Sequence, residues 1–150
     1  MKRSFDRDLL FLLNDVARLI RTRADQLARA HGMTRAQWVI MVRLERQPGL
    51  SQNELAGILE VEPITVCRLV DRLEARGFLE RRADTKDRRI KRLHLLPAAA
   101  PVLKEIDVCR AELHAFITEG VASPALDAMT GGLLKMRANL TAEPRAAKTA

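Results

Sequence analysis

The hydrophobic period of this chain changes twice, and those two changes constrain the fold more than any other feature. Up to Gly77, apolar residues recur every three or four positions, as on one face of a helix. From Phe78 the period is two. Leu79 and Arg81 alternate with Glu80 and Arg82, and Lys91, Leu93 and Leu95 alternate with Arg92 and His94. At Pro97 the helical rhythm returns. Such an order leaves room for two short strands set between helices, so the expected fold is mainly α with one small β-hairpin. The segment joining the strands, Ala83-Asp84-Thr85-Lys86-Asp87-Arg88-Arg89, is charged and longer than the usual hairpin loop of about two to five residues. It is too polar to bury and is expected to project.

The helices are delimited by local signals. The first is predicted from about Phe5 to Ala30, with Leu9, Leu13, Val16, Ile20, Ala24 and Leu27 on one stripe. His31-Gly32 ends it, and His31 is expected only to cap or to face solvent. Thr34-x-x-Gln37 is a capping box that opens a second helix through Trp38, Met41 and Leu44, closed by Pro48-Gly49. Ser51-x-x-Glu54 is another box and opens a short third helix carrying Leu55, Ile58 and Leu59. Pro63 suits the first turn of a fourth helix. There Val66, Leu69, Val70 and Leu73 face inward, and Thr65, Arg68, Asp71, Arg72 and Glu74 outward. Beyond the hairpin, Pro97 opens a fifth helix with the stripe Val102, Ile106, Cys109, Leu113 and Phe116. Ser123-Pro124 opens a sixth with Leu126, Met129, Leu133, Met136 and Leu140. Gly131-Gly132, costing about 1 kcal/mol per Gly relative to Ala, predicts a weak point or kink inside it.

Residues 34–96 thus make a helix-turn-helix followed by a two-stranded wing. Residues 1–33 and 97–141 form a helical region whose stripes exceed what one small winged lobe can cover. A two-fold dimer is the commonest closed solution, so this region is expected to be a dimerisation bundle. The alternative is a monomer that buries every stripe internally. Residues 142–150 are expected to be a flexible tail.

Charge supports the winged arrangement. The chain has 26 Lys and Arg against 19 Asp and Glu, a formal net charge of +7. Within residues 81–92, Arg81, Arg82, Lys86, Arg88, Arg89, Lys91 and Arg92 meet only Asp84 and Asp87. Alone, such a run would be a solvated loop. On a hairpin beside a helix-turn-helix it suits phosphate contact and minor-groove insertion. With only 3% aromatic residues, a single-strand binder built on stacking platforms is not expected.

Other chemistry is absent from the pattern. Cys67 and Cys109 make no disulfide framework and no C-x-x-C, so a reducing, cytoplasmic location is expected. Leu9 to Leu13 is too short an apolar run, with too many flanking acids, for a signal peptide, and no span of membrane length exists. His31, His94 and His114 fall on separate elements, so no metal site or other cofactor is expected. No nucleophile elbow, P-loop or dinucleotide fingerprint occurs, and an enzyme is not expected.

Candidate DNA contacts follow from the pattern. Arg68, outward on the fourth helix, is placed to fork onto guanine in the major groove; the alternative is a surface Arg paired with Asp71 or Glu74. Pro63 and Thr65 lie earlier on that helix and are expected at backbone or base edges. Arg72 is expected to reach phosphate or to pair with Asp71. Arg89, on the wing tip, is expected to enter a narrow minor groove, with Lys86, Arg88 and Lys91 on phosphates. Ser51 and Gln52 begin the third helix and offer polar groups to phosphate.

These residues resemble a known family. Asp84-Thr85-Lys86-Asp87-Arg88-Arg89-Ile90-Lys91-Arg92-Leu93-His94-Leu95 resembles the wing signature of MarR-type regulators. Leu69-Val70-Asp71-Arg72-Leu73-Glu74-Ala75-Arg76-Gly77-Phe78-Leu79 resembles their recognition-helix exit. Asp15 to Arg21, with Gln37-Trp38-Val39, is similar to the SlyA branch. The resemblance covers about residues 8–140. Leu96 departs from it, standing where the family usually has a helix-capping Thr, and so does Pro63-Ile64. The resemblance implies a homodimer of winged lobes on pseudo-palindromic promoter DNA, usually a repressor released by a small aromatic acid. It also implies that Asp87 orients Arg89 by a carboxylate–guanidinium bond. Trp38 with Arg18 and Arg21 would form the apolar and cationic pocket for that acid; the alternative is a core Trp with two surface arginines. Two other functions fit the pattern: a constitutive architectural DNA binder without ligand response, and a helical adaptor whose basic wing meets an acidic protein.

Overall fold

The helices and the hairpin appear in the expected order in a computed structural model that describes residues 7–142. The expected start of the first helix at Phe5 and residues 143–150 of the expected tail lie outside the described residues. The elements are α1 (Leu9–Ala30), α2 (Arg35–Arg46), α3 (Gln52–Leu59), α4 (Pro63–Ala75), β1 (Leu79–Ala83), β2 (Lys91–Leu95), α5 (Ala99–Ile117) and α6 (Ser123–Thr141). Among the described residues no helix is long and apolar enough to cross a membrane.

Local chemistry accounts for most boundaries. Asp8 caps α1 by accepting from the Leu10 and Phe11 N–H groups. Both predicted capping boxes form. Gln37 N–H donates to Thr34 Oγ1 at 3.2 Å while Thr34 N–H donates to Gln37 Oε1 at 2.9 Å. Glu54 N–H donates to Ser51 Oγ at 3.2 Å, and Ser51 N–H donates to the Glu54 carboxylate at 2.6 Å. Pro63 occupies the first turn of α4. At Leu96 no threonine caps α5. The chain enters that helix through a turn, with Ala99 N–H donating to Leu96 O and Ala100 N–H to Pro97 O, so α5 begins two residues after Pro97.

The strands pair antiparallel in one register, from Leu79 opposite Leu95 to Ala83 opposite Lys91. The connecting tip is therefore residues 84–90, one residue later than the sequence pattern places it, because Ala83 is still paired. The segment before α3 adds to the wing's inner edge: Gly49 N–H donates to Leu93 O, Leu93 N–H to Leu50 O, and Ser51 bridges Arg92.

The chain divides into two compact units, Met1–Leu113 and His114–Ala150. In the first, one core joins Ile40, Met41, Leu44, Leu55, Val66, Val70, Leu73, Leu79 and Leu93 with Ala28 of α1 and Ala99, Leu103, Ile106 and Cys109 of α5. The winged lobe thus shares its core with the end of α1 and the first turns of α5. On α5, Leu103 is buried in place of the expected Val102, which packs only partly against the core. Leu113 is half-buried and Phe116 exposed, so the expected stripe does not stay buried to its end. The second unit contains α6, which runs unbroken through Gly131 and Gly132 and buries none of its residues.

His31 does more than cap. Its ring lies 5.8 Å from the Trp38 ring, its Nε2 3.4 Å from Cys109 Sγ, and its Nδ1 3.4 Å from the Glu105 carboxylate. Cys109 is buried core as expected, and burial, with Glu112 and Glu105 nearby, pushes its thiol pKa up.

Candidate nucleic-acid interface

Helix α4 buries Val66, Val70 and Leu73 and leaves Pro63, Thr65, Arg68 and Arg72 exposed. The expected alternative for Arg68, pairing with Asp71 or Glu74, does not occur. Both carboxylates are taken by Arg81 from the wing, and among the described residues Arg68 has no hydrogen-bond or ion-pair partner. Its guanidinium is free to act outward. Arg72 also has none, and it lies in the last turn of α4, at the far end from Pro63.

Arg81, which the sequence counts with the basic charge of the wing, is engaged inside the lobe. It pairs with Asp71 and Glu74, its N–H donates to Glu74 at 3.2 Å, and its Nε donates to Gln52 Oε1 at 2.8 Å. One guanidinium therefore ties the wing to both helices of the helix-turn-helix. Gln52 spends its carbonyl oxygen on this bond. Ser51 spends its hydroxyl oxygen on capping α3, so both residues begin that helix with their acceptors already occupied. The signal was visible: Arg81 shares the strand face of buried Leu79, and an inward-facing arginine needs carboxylate partners.

Arg92 plays the matching part on β2. Its Nε donates to Asp84 at 2.7 Å, and its Nη1 donates to Glu54 at 2.9 Å and to Gly49 O at 3.3 Å. Asp84 in turn accepts from the Lys86 and Asp87 N–H groups at 2.7 and 3.0 Å, closing the tip as a turn. The Arg92 guanidinium, with those two N–H groups, holds the Asp84 carboxyl down to a pKa of about 2. The Ser51 N–H and hydroxyl, with Arg92, lower that of Glu54.

At the tip, Arg89 Nε and Nη2 donate to the two oxygens of Asp87, each at 3.1 Å, with the Arg89 side chain 91% exposed. This is the bidentate pairing that the wing motif implies. Arg89 lowers the Asp87 carboxyl pKa. Arg82 pairs with Glu80 on its own strand. Of the seven basic residues between positions 81 and 92, only Lys86, Arg88 and Lys91 are exposed without a partner among the described residues. The free positive charge of the wing is concentrated at its tip.

With the helix-turn-helix braced to its wing, the MarR family profile matches residues 33–91, spanning α2 to the start of β2. The solved transcriptional regulator PA3341 is 31% identical over 86% of this chain and 95% of that one, with a TM-score of 0.75. The chain belongs to the MarR family. The transcriptional regulator SlyA is 25% identical, with a TM-score of 0.75 over 89% of this chain and 94% of that one. CouR from Rhodococcus jostii RHA1, solved with p-coumaroyl-CoA, is 22% identical, with a TM-score of 0.75 over 90% and 95%. This MarR-family chain is a winged helix-turn-helix, DNA-binding transcriptional regulator.

The residues suggested for an aromatic acid are placed as follows. Trp38 is in the core at 6% exposure, and its indole N–H is buried with no acceptor. Arg18 is exposed on α1 and pairs with Asp15 at 2.7 Å, and Arg21 is exposed. Among the described residues no hydrogen bond or ring contact joins Trp38 to either arginine.

Proposed function

We propose that this MarR-family regulator is a homodimer that represses transcription from pseudo-palindromic promoter DNA and releases it when a small aromatic acid binds. The observation that carries the DNA part is the unpaired Arg68 on α4, beside a wing whose free cations among the described residues, Lys86, Arg88 and Lys91, lie at or next to its tip. Pro63 and Thr65 lead α4 into the major groove and Arg68 reads guanine. Arg89, held by Asp87, enters the flanking minor groove, while Lys86, Arg88, Lys91 and the start of α3 at Ser51 and Gln52 meet phosphates.

Dimerisation is supported by helices that leave apolar surface uncovered. Leu9, Leu10, Leu12, Val16 and Leu19 of α1 are exposed, and so, in the second unit, are Met129, Leu133 and Leu134 of α6. Surface of that kind on residues 1–33 and 97–141 fits a second copy of the chain. Ligand release is supported by the orphaned indole N–H of Trp38, which a carboxylate would satisfy, and by the acyl-CoA thioester held by CouR. Arg18 and Arg21 would then supply positive charge from α1.

Competition between a promoter fragment and random duplex across a salt series tests this reading. The promoter should bind roughly a thousandfold tighter or more, and an aromatic acid should weaken it. Equal affinity for both duplexes with no response to the acid would instead identify a constitutive architectural binder. Binding that ignores DNA and selects acidic protein would identify an adaptor.

A further inference from the structure

Helices α1 and α4 end alike. Each closes on a glycine in the left-handed region, Gly32 at φ 67° and Gly77 at φ 72°. Met33 N–H donates to Ala28 O and Gly32 N–H to Arg29 O; Phe78 N–H donates to Leu73 O and Gly77 N–H to Glu74 O. These bonds satisfy some of the last carbonyls of each helix. Arg76 joins the two caps. Its Nη1 donates to Gly32 O at 3.2 Å, and its guanidinium lies 4.7 Å from the centre of the Phe78 ring.

Between these caps lies an open cavity of about 480 Å³ lined by Arg29, Arg72, Arg76, Thr34 and Gln37 among others. Among the described residues no carboxylate lines it. On the same helices, Asp25 pairs with Arg35, and Asp71 and Glu74 pair with Arg81. Arg29 and Arg72 have no hydrogen-bond or ion-pair partner among the described residues. Gln37 is only 5% exposed, with its Oε1 committed to the Thr34 N–H. Its amide NH2 makes no hydrogen bond among the described residues and keeps solvent access, so it is a donor open to the cavity. Thr34 Oγ1 already accepts from Gln37 N–H, which leaves its hydroxyl proton to donate.

Three guanidiniums, a carboxamide NH2 and a hydroxyl converge with no acid among them. We propose that this cavity binds a small free oxyanion, a phosphate or a carboxylate. The Gln37 amide and Thr34 hydroxyl would form its floor, Arg76 a fixed wall, and Arg29 and Arg72 would close from either side. A ligand held this way links the end of the recognition helix α4 to the turn between α1 and α2.

The test titrates the full chain with inorganic phosphate against chloride at constant ionic strength, following the Gln37 side-chain NH2 and arginine Nε–H resonances. One saturable site per chain is expected. Gln37→Glu keeps the capping box, since Glu serves that position as well as Gln, but puts a carboxylate where the donor was. It should weaken phosphate at least tenfold with little change in melting temperature. Arg29→Ala, a surface change, should weaken it several-fold. Unchanged phosphate binding in both variants, or shifts confined to Lys86, Arg88 and Lys91, would overturn the site. A second arm measures duplex binding without phosphate. Arg29→Ala should leave the affinity and its salt slope unaltered. If the slope flattens by about one unit, the cavity holds a DNA phosphate and the free-anion proposal falls.

Discussion

Arg81 on the wing and Gln52 at the start of α3 are joined by a 2.8 Å hydrogen bond across 29 positions of sequence. The same guanidinium holds Asp71 and Glu74 of α4, so one side chain ties the wing to both α3 and the recognition helix. Its side chain is 19% exposed, but Asp71 and Glu74 are 58% and 39% exposed, so solvent screens these pairs in part.

Replacing Arg81 by Met keeps its aliphatic stem and removes the charge. Stability should fall by about 1–3 kcal/mol, toward the lower end because Asp71 and Glu74 are exposed enough to rehydrate. DNA affinity should fall further than that of a single lost phosphate contact, since wing and helix lose their fixed angle. Urea denaturation together with binding curves checks both. An undiminished affinity would show that the brace does not orient the wing.

Arg68→Ala and Lys86→Ala should fail differently. Loss of Arg68 should cost about 1–3 kcal/mol and relax preference at one position of each half-site. Loss of Lys86, or of Lys91, should weaken all sequences alike and reduce the salt slope by about one unit. Binding profiles over a randomised half-site separate the two; identical profiles would show that Arg68 contacts backbone only.

Arg89→Ala should weaken binding most where the flanking duplex is A·T-rich, because a narrow minor groove concentrates negative potential. Lys at this position should recover only part of the loss, its ammonium being compact and strongly hydrated. Asp87→Asn should produce a smaller loss of the same kind, by freeing the guanidinium that the two carboxylate oxygens now orient. Thermal stability should barely change in any of the three. Equal losses on A·T-rich and G·C-rich flanks would place Arg89 on phosphate.

The wing tip should loosen in acid. The Asp84 carboxyl is held down to a pKa of about 2, below its unfolded value near ~3.9. A depressed folded pKa gives stability that is fully present above the unfolded value and lost as pH falls through the folded one. The Lys86 and Asp87 amides should therefore keep their hydrogen-exchange protection above about pH 4 and lose it toward pH 2. In Asp84→Asn the protection should be weaker at neutral pH and nearly flat across that window. A wild-type profile in the variant would assign the acid response to Glu54 or Asp87, whose carboxyls are also lowered.

Dimerisation should appear as a single species of twice the chain mass in sedimentation at micromolar concentration, with recognition helices about 34–36 Å apart on DNA. Val16→Glu on α1 should shift it toward monomer, since it puts charge into exposed apolar surface without touching the core. A wild-type monomer at that concentration would remove the basis for a palindromic operator.

Much of this fold was legible in the chain because its signals act over three or four residues. The boxes at Thr34 and Gln37 and at Ser51 and Glu54, the proline opening α4 and the glycine closing it are decided by hydrogen bonds and backbone angles within one turn. The change of period at Phe78 announced the hairpin by the same local rule. On α5 the stripe placed Val102 inward, and packing against neighbouring elements buried Leu103 instead.

What the sequence by itself determined was the set of elements, their order, and a charged tip that had to project beside a helix-turn-helix. Only the tertiary structure decided which charges are free. Arg81 and Arg92 count as wing cations in the sequence, yet one is bound to α3 and α4 and the other to Asp84, Glu54 and Gly49. Meanwhile Arg29 and Arg72, 43 positions apart, line one cavity with Gln37 and have no partner among the described residues. The physical reason is range. A cap is settled by neighbours along the chain, whereas a guanidinium takes whichever carboxylates packing brings within about 4 Å, and that choice follows from how helices and strands stack rather than from their spacing in sequence.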